Sequence, residues 1–120
     1  ISGQQVIDLF QGFGCCAERT YVIFTRLGGL TIRFPNGTTS ALLHFMNFRP
    51  RSLKVQIKTD GTSIFKGKMT PGATEIVLPR LNDLVEVRFD VESWVPDKEL
   101  RNGDTRNIGL HLSYVAFNSD

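Results

Sequence analysis

Polar and apolar residues alternate along most of this chain, and a period of two leaves few folds open. Leu30, Ile32 and Phe34 alternate with Thr31 and Arg33, and Leu53, Val55 and Ile57 with Lys54, Gln56 and Lys58. Val85, Val87, Phe89 and Val91 alternate with Glu86, Arg88 and Asp90, and Ile108, Leu110 and Leu112 with Gly109, His111 and Ser113. Successive side chains of a strand point to opposite faces, so each segment reads as a strand with one face in a core and one in water. Residues 21–25, 41–48, 62–65 and 74–78 add β-rich runs with weaker alternation, and residues 6–10 a possible first strand. Turn signals separate them: Gly28-Gly29, Pro35-Asn36-Gly37, Arg49-Pro50, Asp60-Gly61, Pro71-Gly72 and Asn82-Asp83. No segment has a convincing amphipathic helical pattern. Many short strands at this spacing make a sandwich or a small barrel. The expected fold is an all-β, jelly-roll-like antiparallel sandwich of about eight or nine strands. Its one long irregular stretch is residues 92–107, and loops of that length are often functional.

Composition excludes several classes. The 120 residues suffice for one domain, and 41% hydrophobic with 22% charged residues is ordinary for a globular chain. The expectation is a single domain over residues 1–120, cut from a longer protein because the chain opens on Ile1 without an initiator Met. No apolar run approaches the ~18 residues of a membrane span. Cys15 and Cys16 are adjacent, which is poor geometry for a disulfide, and with only His44 and His111 beside them no metal-ligand spacing arises. No metal and no cofactor is expected.

A net charge of +2 is far from that of a nucleic-acid-binding polycation, and no nucleic-acid partner is expected. The charge is nevertheless unevenly placed. Residues 49–68 carry six cations against Asp60 alone. Their lysines alternate with core residues, which makes them either one solvated sheet face or an anion-binding face.

Strand-like residues 6–10 followed by Gly12-Phe13-Gly14-Cys15-Cys16-Ala17 outline a nucleotide-cofactor loop. Strand material at Tyr21-Val22-Ile23-Phe24 stands where its helix belongs, and no acidic residue lies between Glu18 and Asp60 to hold a ribose. No serine sits in a Gly-x-Ser-x-Gly elbow. The domain reads as non-catalytic.

The most distinctive segment is Phe89-Asp90-Val91-Glu92-Ser93-Trp94-Val95-Pro96, then Gly103-Asp104-Thr105-Arg106-Asn107-Ile108-Gly109-Leu110. With Gly12-Phe13-Gly14, Glu18 and Phe24-Thr25 near the start, it resembles a bacterial carbohydrate-binding-module-like β-sandwich. Such modules are appended to glycosyltransferases and other cell-envelope polysaccharide enzymes. The order of elements is kept over nearly the whole chain, although Cys15 stands where an aromatic is common and Phe24 where Trp is usual. The resemblance implies a jelly-roll accessory domain whose partner is a glycan or polysaccharide, set in the bacterial cytoplasm near the inner membrane. The alternative is a structural or protein-interaction sandwich that docks on its own catalytic domain in the parent chain or self-associates.

On that reading Trp94, Asp104, Arg106, Glu18 and Tyr21 form the candidate carbohydrate site. One flat aromatic face with a few oriented polar groups is what a sugar ring needs. Each residue also has a structural reading. Trp94 would cap the sandwich edge, and Asp104 would accept backbone N–H bonds that shape its loop while Arg106 forks onto a carboxylate.

Overall fold

The computed structural model describes residues 3–8, 21–22 and 27–119, the first two segments through their backbone pairing. Gly12-Phe13-Gly14, Cys15, Cys16, Glu18 and Phe24-Thr25 lie outside the described residues.

Among the described residues, nine strands form two packed sheets. They are β1 (Gly3–Asp8), β2 (Tyr21–Val22), β3 (Leu27–Arg33), β4 (Ser40–Asn47), β5 (Leu53–Thr59), β6 (Thr62–Met69), β7 (Gly72–Pro79), β8 (Leu84–Val91) and β9 (His111–Asn118). The first sheet has the order β1-β3-β8-β5-β6 and the second β2-β9-β4-β7. Consecutive strands repeatedly cross between the sheets, as in a jelly roll. All pairings are antiparallel except β1 with β3, which run parallel from Gly3↔Gly28 to Asp8↔Arg33. A parallel pair needs a long crossover, and here the chain between its strands passes through β2 on the other sheet.

The alternation dictates the packing. In β5 and β8 every second residue is buried, from Leu53 to Thr59 and from Val85 to Val91. Their inward side chains meet Ala41, Leu43, Phe45, Leu78, Leu112, Val115 and Phe117 of the second sheet in one continuous core. Phe45 packs edge-on against Phe89 with ring centroids 6.0 Å apart, and Phe34 against Phe117 at 5.5 Å. Such pairs add about 0.5–1.5 kcal/mol beyond the apolar area they bury.

Turn chemistry fixes the registers. Asp60 and Gly61 both have positive φ, 49° and 77°, so the β5–β6 hairpin closes in two residues with the twist its strands need. The final strand departs from the simple alternation. Ile108 and Leu110 are buried before β9 begins, and Ile108 makes only an isolated bridge to Trp94. Within β9, Tyr114 pairs with His44 and Leu112 with Phe45, leaving Ser113 as a bulge. The extra residue shifts the phase by one and puts Val115 and Phe117 into the core.

The stretch 92–107 is more ordered than its sequence led us to expect. Pro96–Leu100 form a short helix, α1. Pro96 supplies the φ of a first helical residue at no cost in hydrogen bonding, and Asp97 and Glu99 favour a helix N-terminus. Arg101, in the left-handed region, ends the helix by donating its N–H to the Asp97 carbonyl at 2.9 Å. Among the described residues no helix is long and apolar enough to cross a membrane.

Candidate functional site

Of the residues singled out from sequence, the structure describes the side chains of Trp94, Asp104 and Arg106. Trp94 follows β8 and exchanges both backbone hydrogen bonds with Ile108, at 2.8 and 2.9 Å. Its side chain is 4% exposed and belongs to the core cluster, so it caps the sandwich and offers no face to a sugar ring. Tyr21 lies in β2 opposite Leu112, at the edge of the second sheet. Glu18 lies outside the described residues.

Asp104 and Arg106 are together, and each occupies the other. Asp104 Oδ1 accepts the Arg106 backbone N–H at 3.1 Å and its Nε–H at 2.9 Å, while Oδ2 accepts from Nη2 at 2.8 Å. These bonds from Arg106 hold the Asp104 carboxyl down at a pKa of about 2. The loop is closed further by the Asp104 carbonyl, which accepts from the Asp97 N–H, and by Asp97 Oδ1, which accepts from the Gly103 N–H. The pair is a loop staple.

A second polar cluster ties the β4–β5 loop to α1. The Arg49 side chain is 5% exposed and reaches Glu99 Oε2 through Nε at 2.9 Å and Glu92 Oε1 through Nη1 at 3.2 Å. Arg51 Nε meets Glu99 Oε1 at 2.6 Å. Buried Asn47 orients the loop, donating to the Arg51 and Met69 carbonyls and accepting the Arg49 N–H. Burial works against the charge of Glu99, but hydrogen bonds from Arg51 and Arg49 outweigh it and keep its pKa below the usual value. The Lys54 backbone N–H, with help from Arg49, does the same for Glu92.

The feature with free chemistry lies beside this cluster, on the outer face of the first sheet. An open groove of about 710 Å³ crosses β5, β6 and the end of β8, lined by Lys54, Gln56, Lys66, Lys68, Asp90 and Glu92 among others. A smaller hollow of about 260 Å³ continues it toward Arg49, Arg51 and Ser52, sharing Lys54, Lys68 and Glu92. Strand pairing sets the grid: Lys54 opposes Lys68, while Gln56 stands between Lys66 on one side and Asp90 on the other. Among the described residues, the side chains of Lys54, Gln56, Lys66, Lys68 and Asp90 have no hydrogen-bond or ion-pair partner. Glu92 does, through Arg49 and the Lys54 N–H. The basic run 49–68 signals half of this groove in the sequence. Asp90 and Glu92 come from β8, and no local pattern places β8 next to β5.

No family model and no curated protein matches the chain. Among solved structures it is similar to an acetyl xylan esterase from the rumen bacterium Butyrivibrio proteoclasticus, with a TM-score of 0.49 and 11% identity. The match covers 77% of this chain and 23% of the esterase, so the chain spans under a quarter of that protein's length. It is also similar to the carbohydrate-binding module CBM36 in complex with calcium and xylotriose, with a TM-score of 0.45 and 11% identity, over 81% of this chain and 78% of that one. A third similar structure is a family 43 arabinoxylan arabinofuranohydrolase from Bacillus subtilis in complex with cellotetraose, with a TM-score of 0.40 and 13% identity, over 84% of this chain and 21% of the enzyme.

Proposed function

We propose that this domain is a non-catalytic module that binds polysaccharide in the groove on the outer face of its first sheet, as an accessory to a glycosyltransferase or polysaccharide-processing enzyme. The observation that carries the reading is the groove itself. It is open, and the side chains of Lys54, Lys66, Lys68, Gln56 and Asp90 in it have no hydrogen-bond or ion-pair partner among the described residues. A hydroxyl both donates and accepts, so a sugar ring is suited to a surface that mixes donors such as Lys54, Lys66 and Lys68 with the acceptor Asp90 and the amide of Gln56. These groups stand on paired strands, so a ligand has side chains but no backbone to order. The accessory role is supported by the resemblance of the 89–110 segment to modules appended to such enzymes.

A polysaccharide array with the isolated domain tests this, run beside a Gln56→Ala/Asp90→Ala double variant and Asp104→Ala. Retention of at least one polysaccharide, lost in the groove variant and kept in Asp104→Ala, is the expected result. Loss in Asp104→Ala alone would return the site to the 94–106 loop. A folded domain that retains no polysaccharide would overturn the reading.

An observation of its own favours a second reading. Phe48 and Val77 are 53% and 59% exposed on the second sheet's side of the molecule, Phe48 with its ring edge-on to His111 and Val77 opposite Leu42. An apolar face of this kind would dock on the parent catalytic domain or on a second copy. A sedimentation coefficient that rises with concentration and is made constant by Val77→Lys would support self-association.

A further inference from the structure

We propose that the groove selects acidic sugars, rings that carry a carboxylate or a sulfate beside free hydroxyls. This rests on the glycan-binding reading above and assigns its ligand class.

The charge balance carries the inference. Among the described residues, five ionisable side chains line the main groove: Lys54, Lys66, Lys68, Asp90 and Glu92. Glu92 is already engaged by Arg49 at 3.2 Å and by the Lys54 N–H at 3.1 Å. Three ammoniums and one carboxylate are left for a ligand. Lys54 and Lys68 are also direct cross-strand partners. Directly opposed residues have Cβ atoms about 5 Å apart, and like charges at that position destabilise a sheet. Glu92, beside Lys54, offsets part of the Lys54 charge but is shared with Arg49, and neither lysine side chain has an ion-pair partner among the described residues, so an anion seated between the two would be favoured. The hollow continuing past Lys54 and Lys68 reaches Arg51, which is 67% exposed at its side chain and already paired with Glu99, so the lysines carry the charge offered to a ligand.

The remaining groups decide which kind of anion fits. Asp90 and Gln56 pair across β8 and β5, and Gln56 separates Asp90 from Lys66 on β6. A carboxylate at that place needs a donor. Inorganic phosphate, polyphosphate and a nucleic-acid backbone bring acceptor oxygens and would be repelled there. A uronic acid or a sulfated sugar brings anionic oxygens for the lysines and hydroxyl donors for Asp90 on one ring. Among the described residues no aromatic lines the groove, and charge-assisted hydrogen bonds can take the place of stacking as the source of affinity.

The test is isothermal titration or affinity electrophoresis of the isolated domain with a polyuronate, a sulfated galactan, a neutral xylan, a neutral mannan and single-stranded DNA. The variants are Lys54→Gln/Lys68→Gln and Lys54→Arg/Lys68→Arg. The acidic polysaccharides are expected to bind at least about tenfold tighter than the neutral ones, and the glutamine pair to weaken that binding about tenfold or more. The arginine pair is expected to restore it, and 0.5 M salt to weaken it as screening predicts. The polyuronate and the sulfated galactan separate the two sources of negative charge, and binding of either supports the proposal. The glutamine pair should also unfold at nearly the same temperature as the parent, because the lost repulsion between the lysines and the lost attraction of Lys54 for Glu92 oppose each other. Merely structural lysines would not give binding loss together with unchanged stability. Neutral polysaccharide bound as tightly as acidic would overturn the acidic selectivity while leaving glycan binding intact. DNA bound as tightly as polyuronate would overturn the role given to Asp90. A folded parent domain that binds no polysaccharide would overturn both this inference and the reading beneath it.

Discussion

Arg49 and Arg106 are both paired with carboxylates, and their surroundings give the pairs different weight. The Arg49 side chain is 5% exposed between Glu92 and Glu99, while Arg106 lies on an exposed loop at 65%. Removing a buried partner leaves its counter-charges without solvation to replace it. Arg49→Met is expected to cost about 2–3 kcal/mol, less than for a fully buried pair because both glutamates keep some contact with water. Arg106→Met is expected to leave the urea midpoint nearly unchanged, as exposed pairs usually do. Equal losses in the two variants would contradict this difference. The inward turn of Arg49 was not legible in the sequence, where it is one of six cations in residues 49–68. Its partner Glu99 lies 50 positions further on, on a helical turn that no periodicity announces. The Asp104–Arg106 staple was legible, because residues two apart in a loop meet without help from the rest of the fold.

Elements whose alternation runs unbroken were the easiest to read. β5 and β8 have the faces their sequences imply, and Asp60-Gly61 makes the two-residue turn its residue types favour. Two features break the simple pattern. Ser113 bulges out of β9, and Trp94, read as either a cap or a stacking platform, lies in the core, bridged through its backbone to Ile108. A bulge and a tertiary bridge both depend on which strand lies alongside, and single-sequence periodicity carries no such information. The burial of Trp94 sets up a clean comparison. Trp94→Ala removes a large core side chain and is expected to cost about 3–5 kcal/mol. Trp94→Phe keeps most of the ring and deletes an indole N–H that has no hydrogen-bond partner within the described residues, so its cost is expected to stay under about 1.5 kcal/mol. Urea unfolding checks the pair. Parent fluorescence should move from a blue-shifted to a red-shifted maximum through the same transition, since Trp94 is the chain's one tryptophan.

Among the described residues, the groups with shifted titrations below neutral pH share one sign. Burial, with the nearby Arg106 charge, lowers the pKa of His111, and Glu92, Glu99 and Asp104 are lowered as well. In each case the unfolded chain binds its proton at a higher pH than the folded one, so stability rises with pH through every one of these windows. As pH falls, the His111 contribution is lost first, from about 6.5 downward. Those of Glu92 and Glu99 follow below about 4.5, while Asp104, titrating between 3.8 and about 2 in an exposed pair, adds little. The thermal midpoint is expected to fall steadily from pH 7 to pH 3, and His111→Gln to flatten the limb above pH 5 alone. A midpoint that rose on acidification would contradict all four assignments. The two-sheet architecture was legible as a whole because strand count and turn spacing admit few alternatives. The parallel attachment of β1 was not, since nothing in residues 3–8 says which way a neighbour runs.

The placement of β9 bears on how the domain is made. In the second sheet β4 lies between β7 and β9, and β2 is attached only through β9. While the chain is still on the ribosome, β4 has one neighbour and β2 has none until residues 111–118 have left the exit tunnel. The inward side chains of Leu43 and Phe45 therefore stay partly uncovered through most of translation. The last strand made is the one that closes the sheet, and a nascent chain stalled before His111 would be a natural substrate for chaperones that hold exposed apolar segments.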